Sequence, residues 1–341
     1  MTIFEFNGLI CDFVPRSLHF FERENYRTDA ILGTPSNFCP RIIIDPEGRM
    51  AAVRVFTSHL ALIPFDNSSE ETNEALNETS DKNIQSHVIN FASQIDSRLK
   101  LVKNLIFLPG FLNPTIAILY DRGSNEGDND TPMPLRTELN HSDPNHPKET
   151  CAVMIVAIEP VLKYRSVRPD SSAFQFTVVN CIEGVPFDAE SLYALPKPVG
   201  GLFIACANLL LWSDISSSTA PYSIALNQFA PLTYSGRISI SQFQNLNLSS
   251  LLDCRFLTLQ PSSGNTLKCL FITKHGEKLL ISISRTGRTL GFCNIERIEN
   301  GARASPSPSD LIQWDDETIF VASEGGASQL ISLYGKGEDP A

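Results

Sequence analysis

The chain has 341 residues, of which 42% are hydrophobic and 19% charged, and its formal net charge is -11. This length allows a large core, and the composition is ordinary for a globular protein. Two segments, 66–83 with six acids and one base and 121–150 with seven acids and three bases, carry most of the negative charge. The remainder is nearly neutral, so its overall charge does not support a phosphate-binding groove.

The composition also excludes some classes of protein. No run of about 18 apolar residues occurs, so no membrane span is predicted. The first residues lack the basic and long apolar stretches of a signal peptide. The eight cysteines are scattered, with no Cys-x-x-Cys pair, and most lie in apolar strand-like runs that favour buried thiols. They are Cys11, Cys39, Cys151, Cys181, Cys206, Cys254, Cys269 and Cys293. These features predict a reducing compartment, the cytosol or the nucleus.

Short strands are predicted from the beginning of the chain. Residues 3–6 form the first, and we expect residues 18–21 to be its partner. Asp45-Pro-Glu-Gly48 then fits a type I turn between two β-branched strands, and residues 60–65 add a third. The acidic segment 66–83 has almost no large apolar residue and is predicted to be a mobile loop.

The pattern of short strands and turns continues to the end. A turn rich in Pro, Gly and Asn separates two apolar strands within residues 104–120, and 121–150 is predicted to be a second acidic, mobile insertion. The short segment 93–102 is predicted to be a helix or turn. Further strands are predicted at 86–91, 151–158, 174–179, 223–226, 253–259, 278–284, 289–295, 319–323 and 329–334.

The most regular stretch is 192–212. Pro196 and Pro198 remove backbone donors, and Gly200 and Gly201 allow a tight turn. The apolar run that follows predicts a buried strand, a turn at Asn208 and a second strand.

These elements predict an all-β fold. No helical periodicity extends beyond about ten residues. Strand-rich units recur near residues 49, 115, 152, 201, 253 and 318, at intervals of roughly 45–55 residues once the acidic insertions are discounted. That interval is typical of a propeller blade, so we predict a β-propeller of four-stranded antiparallel blades.

No motif predicts catalysis or a bound cofactor. The chain has no Gly-x-Ser-x-Gly, no phosphate-binding Gly-rich loop and no His-Glu-x-x-His. His141 and His146 lie near Asp143 and Glu149, but the prolines between them argue against a rigid metal site. We therefore predict that the protein is not an enzyme and holds no metal.

Basic residues around one predicted hairpin are the candidate nucleic-acid contacts. They are Arg285, Arg288 and Arg297, with Lys274 and Lys278 nearby. Alternate strand residues share a face, so some of them can form a small positive patch, although ordinary surface charge is the more common arrangement. Three aromatic residues, Trp212, Trp314 and Tyr222, are either a stacking platform for bases or hairpin and core packing.

Several stretches resemble the first propeller of the large subunit of the cleavage and polyadenylation specificity factor. The most similar are Ala194-Leu-Pro-Lys-Pro-Val-Gly-Gly and Pro221-Tyr-Ser-Ile-Ala-Leu-Asn. Others are residues 41–56, 60–65, 107–120, 155–158 and 184–188. Near the end, residues 323–330 resemble a family pattern, but Glu324 and Ala327 replace a basic and an acidic residue. The wider superfamily includes the large subunit of the UV-damaged DNA-binding complex and a subunit of splicing factor 3b.

The resemblance covers most of residues 1–335, with a short tail at 336–341. It implies an incomplete piece of a seven-bladed first propeller, with insertions at 66–83 and 121–150. It also implies a non-catalytic, nuclear scaffold in pre-mRNA 3′-end processing, whose partners are the poly(A)-signal recognition proteins, a WD-repeat subunit and a zinc-finger subunit. RNA would then be bound through the complex. The alternatives are a propeller that binds RNA or DNA directly, or a scaffold of a related DNA-repair, ubiquitin-ligase or splicing complex.

Overall fold

The computed structural model describes residues 2–7, 12–17, 41–54, 58–65, 86–122, 151–160, 174–215, 220–234, 239–246, 250–259, 266–287, 289–298, 304 and 306–333. These residues form short β-strands, together with one π-helical turn, Phe91–Ile95, and one four-residue α-helix, Ala230–Thr233. The prediction of an all-β fold is therefore confirmed. In the described part of the chain no helix has the length and apolar character needed to cross a membrane.

Twenty-two strands are described. In chain order they are β1 Thr2–Asn7, β2 Asp12–Ser17, β3 Arg41–Ile44, β4 Met50–Arg54, β5 His59–Pro64, β6 His87–Asn90, β7 Leu101–Leu108, β8 Thr115–Asp121, β9 Cys151–Pro160, β10 Phe174–Val185, β11 Ser191–Ala194, β12 Leu202–Ala205, β13 Leu209–Ser213, β14 Tyr222–Ala225, β15 Gln242–Phe243, β16 Arg255–Leu259, β17 Thr266–Ile272, β18 Lys278–Thr286, β19 Thr289–Arg297, β20 Pro308–Gln313, β21 Thr318–Ser323 and β22 Gln329–Ser332.

The strands form five propeller blades and one separate hairpin. The blades are β3–β6, β7–β10, β11–β15, β16–β19 and β20–β22, and consecutive strands of a blade pair antiparallel, with the exception of β15, which pairs parallel to β14. The first strands of neighbouring blades lie against each other, β7 beside β3 and β11, and β16 beside β20. The first strand of each blade is therefore the innermost. The predicted propeller is confirmed, and three of the five blades have the predicted four antiparallel strands.

The described residues form four hydrophobic core clusters, and each cluster lies between two consecutive blades. Blades one and two share the first, blades two and three the second, blades three and four the third, and blades four and five the last. A central strand is covered on both faces, because a blade packs on either side of it. This explains why all seven residues of β8 and all five of β13 are buried, and why these strands have continuous apolar runs instead of alternation.

Two predicted regions are confirmed in detail. The strands on either side of Asp45 and Gly48 are β3 and β4, and the Gly48 amide donates to the Asp45 carbonyl at 2.8 Å, as a β-turn requires. The stretch 192–212 contains β11, β12 and β13, with the predicted turn at residues 206–208. There the Cys206 amide donates to the Leu209 carbonyl at 2.9 Å and closes the turn.

Other predictions were wrong in position. The strand β1 pairs with β2, which precedes the predicted partner 18–21, because a short connection is enough to close a hairpin. The helical turn begins at Phe91, before the predicted 93–102. Strand β10 extends to Val185, beyond the predicted end at residue 179. Its second half was missed because two bulges interrupt the alternation of inward and outward residues. Asp121, predicted to begin a loop, is the last residue of β8.

The predicted repeat also needs correction. The units near 115 and 152 are neighbouring strands, β8 and β9, of one blade, since a long insertion separates them in sequence. Strands β17 and β20 were not predicted at all. The predicted loop 66–83, the predicted loop 121–150 apart from Asp121 and Arg122, residues 18–21, and His141 and His146 lie outside the described residues.

Candidate functional site

One face of the propeller carries the turns that join the first two strands of blades one, two and three, together with one end of the β18–β19 hairpin in blade four. We call this surface the turn face, and it comprises residues 45–49, 109–114, 195–201 and 285–287. Its turns are joined to one another by side chains that cross from one blade to the next.

The first link is made by Glu47, which lies in the turn of blade one, and by Arg49, which directly follows it. Glu47 Oε1 accepts a hydrogen bond from the Gly110 amide at 2.6 Å. Arg49 Nη1 donates to the carbonyls of Phe111 at 2.8 Å and Leu112 at 2.6 Å. These charge-assisted bonds fix the backbone of the second blade's turn.

The guanidinium of Arg49 is itself held from behind. It donates to both carboxylate oxygens of Asp45, at 2.6 and 2.9 Å, and to Glu47 at 3.0 Å. Asp45 is buried, so the ion pair is shielded from solvent on one side. The planar guanidinium is thus bonded to blade one on one side and to blade two on the other, so it fixes the position of the two turns relative to each other.

Leu112 stands on this fixed turn with its side chain 95% exposed. It is the most exposed large apolar side chain in the described part of the chain. An exposed apolar side chain on an immobilised backbone costs little entropy on binding, which favours protein contacts. The turn face therefore presents a preordered apolar residue.

Acid is expected to weaken the Asp45–Arg49 link. Burial acts to raise the pKa of Asp45, but the hydrogen bonds and charge of Arg49 outweigh it and lower that pKa below its ordinary value of 3.8. A lowered folded-state pKa gives stability that is complete above the unfolded-state pKa and is lost as the pH falls through the folded-state pKa. Urea unfolding midpoints measured from pH 6 to pH 3 should therefore fall more for the wild type than for Asp45→Asn. Parallel curves for the two proteins would contradict this role of Asp45.

The turn of blade three packs beside that of blade two. Lys197 Cε lies 3.5 Å from the position that a Cβ on Gly110 would occupy. Gly200 and Gly201 have φ of 64° and 82°, in the left-handed region that glycine adopts without strain. A Cβ on Gly201 would lie 2.9 Å from Trp212 Nε1, which donates to the Gly200 carbonyl at 3.2 Å, so this close approach requires glycine at position 201.

The link between blades three and four is made by Arg285. Its Nη1 donates to the Val199 carbonyl at 3.1 Å, its Nε to the Gly287 carbonyl at 2.7 Å, and its Nη2 to Asp214 Oδ2 at 2.9 Å. The guanidinium carbon also lies 5.9 Å from the ring centroid of Trp212, within cation–π range. Arg285 therefore clamps the Pro-Lys-Pro-Val-Gly-Gly turn onto blade four.

The predicted nucleic-acid contacts do not form one cluster among the described residues. Arg285 and Arg297 lie at opposite ends of the β18–β19 hairpin, because Arg285 pairs with Leu290 and Arg297 with Leu279. Arg297 forms an ion pair with Glu277 at 2.9 Å, and Lys274 with Asp253 at 2.9 Å. Lys278 is buried.

Arg288 lies outside the described residues, so RNA contact through Arg285, Arg288 and Arg297 stays a prediction. We expect a steep fall of RNA affinity with salt if these residues bind phosphates.

The predicted aromatic platform is divided. Trp212 is buried in the cluster between blades three and four, opposite Tyr222 in the paired strands. This packing agrees with the alternative of a core tryptophan. Trp314 lies on blade five with its side chain 75% exposed. The two tryptophans therefore belong to different blades and do not stack on one ligand.

Charged residues near the innermost strands lie on the opposite end of blades three and four. Burial raises the pKa of Glu190, and the nearby charge of Asp253 adds to this effect. Asn104 Nδ2 donates to the Glu190 carbonyl at 2.9 Å and joins blade two to this connection. The basic side chains of Lys103 and Lys274 act in the opposite direction on Glu190. The mixture of signs indicates a structural network.

Among the described residues, neither the cysteine thiols nor the side chains that commonly bind metal ions form a reactive site. Burial raises the pKa of both Cys254 and Cys293 to about 12, so these thiols stay protonated at neutral pH. Within the described ranges no three His, Cys, Asp or Glu side chains are grouped to hold a metal ion. The His59 side chain is hydrogen-bonded to its neighbour, with Nδ1 2.8 Å from Ser58 Oγ.

Sequence reasoning missed Arg49 and Leu112. A signal existed for Arg49, because a basic residue directly after an Asp-x-Glu-Gly turn has two carboxylates within reach. Leu112 resembled the apolar residues of the adjoining strands. Only its position between Pro109 and Pro114 indicated a turn.

Comparison with known proteins adds family information. The model of the RSE1/DDB1/CPSF1 first beta-propeller matches residues 18–340. "Probable cleavage and polyadenylation specificity factor subunit 1" of Caenorhabditis briggsae is 30% identical over 239 residues, which cover 70% of this chain and 13% of that protein. "Cleavage and polyadenylation specificity factor subunit 1" of Arabidopsis thaliana is 24% identical over 339 residues, 98% of this chain and 20% of that protein.

The Drosophila melanogaster protein of the same name is 27% identical over 340 residues, 92% of this chain and 20% of that protein. The chain thus spans a fifth or less of the length of these three relatives.

Proposed function

Because the chain belongs to the RSE1/DDB1/CPSF1 first β-propeller family, we propose that it acts as a non-catalytic protein-interaction scaffold in nuclear pre-mRNA 3′-end processing. The relatives that match it are subunits of the cleavage and polyadenylation specificity factor. The observation that carries the proposal is the turn face, where Glu47, Arg49 and Arg285 fix the turns of successive blades. A rigid face with an exposed apolar residue suits protein binding.

The proposed partners are the poly(A)-signal recognition proteins, a WD-repeat subunit and a zinc-finger subunit, with RNA bound through the assembled complex. The near-neutral charge outside the acidic segments supports indirect RNA binding. The occupied guanidiniums of Arg285 and Arg297 support it as well, since contact with phosphate would compete with their carboxylates.

We further propose that residues 1–335 are part of a seven-bladed ring. The outward face of blade five has a cross-strand row of apolar residues, Ile312, Phe320 and Leu330, in which Ile312 is 54% and Leu330 63% exposed. On the first strand of blade one, Ile42 and Ile44 are also exposed. Apolar faces of this kind are covered between the other blades, so further blades packed against them would remove the exposure.

Purification of the tagged protein from nuclear extract tests the proposed function. Mass spectrometry should recover the subunits of the cleavage and polyadenylation machinery, and the Arg49→Ala variant should recover fewer of them if the turn face is the binding surface. Lys274→Ala, an exposed change away from that face, is the control. Recovery of splicing or ubiquitin-ligase subunits in their place would reject the proposal.

A further inference from the structure

We propose that the outer edge of blade two, residues 175–179 of β10, binds an extended segment of a partner protein as an added β-strand. The inference deepens the proposed scaffold function and rests on it only for the expectation of protein partners.

Strand β10 is the outermost strand of its sheet, whose order is β10, β9, β8, β7. One edge of β10 pairs with β9 along most of its length, from Phe174 opposite Pro160 to Val185 opposite Cys151. Among the described strands, none pairs with its other edge. The outward backbone groups of residues 175–179 are therefore the part of this edge that can serve as a template for another strand.

The length of β10 sets it apart from the other outer strands. It has 12 residues and is the longest described strand, whereas the outer strands β6, β15 and β22 have 4, 2 and 4 residues. The outer strand β19 has 9 residues and ends in the charged pair Glu296 and Arg297. Short length and charge are the usual protections of a sheet edge, and the middle of β10 has neither.

The composition of β10 favours strand pairing. Residues 174–182 contain no charged residue and no proline, and Thr177, Val178 and Val179 are β-branched. Val178 and Val179 are 40% and 49% exposed. A bulge between Val178 and Asn180 is the one protective feature of this segment. The edge is therefore exposed, apolar and suited to extended backbone.

The charges identify a partner segment as the occupant in preference to a second copy. Two copies of this chain, each with a net charge of -11, repel one another. Glu159 lies opposite Gln175 at one end of the edge, and Glu183 lies at the other, with Arg122 at 3.8 Å from it. A segment with an uncharged, β-branched centre and basic ends is complementary to this edge, and its main chain would provide the hydrogen bonds.

The probe is a fluorescein-labelled peptide, Lys-Arg-Val-Thr-Val-Thr-Val-Arg-Lys, titrated with the full chain and followed by fluorescence anisotropy. The Val178→Lys/Val179→Lys double variant should bind at least about tenfold more weakly, because lysines protect a sheet edge. Phe229→Lys, a change to lysine at an apolar residue that is 57% exposed and lies outside the strands, should bind like the wild type. A peptide of identical charge with prolines at the second and third valines should not bind, since proline cannot donate to a ladder.

Hydrogen exchange provides a readout that needs no variant. The peptide should slow amide exchange within residues 175–179, whether or not the double variant folds. Equal binding by the double variant, equal binding of the proline peptide, or no protection of these amides would overturn the proposal. A dimer of the peptide-free chain that the lysines dissociate in sedimentation would overturn it as well, because a second copy would then occupy the edge. Recovery of polyadenylation factors in any of these cases would leave the scaffold function standing.

Discussion

Replacement of Gly201 by alanine is expected to lower the free energy of unfolding by about 4 kcal/mol. Gly201 has a φ of 82°, and a Cβ there would lie 2.5 Å from the Ser213 carbonyl and 2.9 Å from Trp212 Nε1. The carbonyl is backbone and cannot rotate away, so the turn or strand β13 must shift. Urea denaturation of the two proteins, followed by tryptophan fluorescence, measures the loss.

Gly48 provides the matched control. Its φ is 68°, but a Cβ there meets no atom within 4 Å. Gly48→Ala should therefore cost only the strain of the left-handed backbone, about 1 to 2 kcal/mol. Equal losses for Gly48→Ala and Gly201→Ala would show that backbone conformation alone, and not the approach of Trp212 and Ser213, determines the effect.

Replacement of Arg285 by alanine is expected to lower the free energy of unfolding by about 2 to 4 kcal/mol. The change removes the ion pair to Asp214, whose side chain is 4% exposed, and the hydrogen bonds to the Val199 and Gly287 carbonyls. It also uncovers the ring of Trp212. Because Arg285 is partly solvent-exposed, its contribution is smaller than that of a fully buried pair.

The Lys274–Asp253 pair is the control for Arg285. Both side chains are 54% exposed and their charged groups are 2.9 Å apart, so solvent screens the pair and Lys274→Ala should cost much less stability than Arg285→Ala. A double-mutant cycle with Asp214→Ala isolates the coupling of Arg285 to Asp214. A loss of RNA affinity in Arg285→Ala at unchanged stability would instead support the predicted role of Arg285 in RNA binding.

The local parts of this fold could be predicted from the sequence. The Asp45–Gly48 turn and the Pro196–Gly201 turn are determined by residues next to one another, and the strands beside them are strongly apolar. Strand β17 escaped prediction because Lys268 interrupts its apolar run. Strand β20 begins at a proline in a Ser- and Pro-rich segment, which is typical of a loop.

The turn face could not be predicted, because its bonds join residues far apart in the chain. Arg49 bonds a carbonyl 63 residues away, and Arg285 one 86 residues away. Their carbonyl partners have no side-chain signature. A cluster of arginines therefore suggested surface charge or RNA contact, whereas Arg285 holds two blades together. The family-like turn Pro196–Gly201 could be recognised from the sequence, because its prolines and glycines are close together in the chain and lie in one turn.

The division of the core into four clusters predicts how the effect of binding at one blade reaches the other blades. Each cluster of described residues joins only consecutive blades, so the blades behave like coupled units in a row, each sensing its two neighbours. A partner bound at the edge of blade two should slow amide exchange in blades one and three, and leave blade five unchanged. Arg49 joins blades one and two of that row by hydrogen bonds, and Arg285 joins blades three and four. Binding at one blade is therefore expected to affect the neighbouring blades more than blades farther along the row.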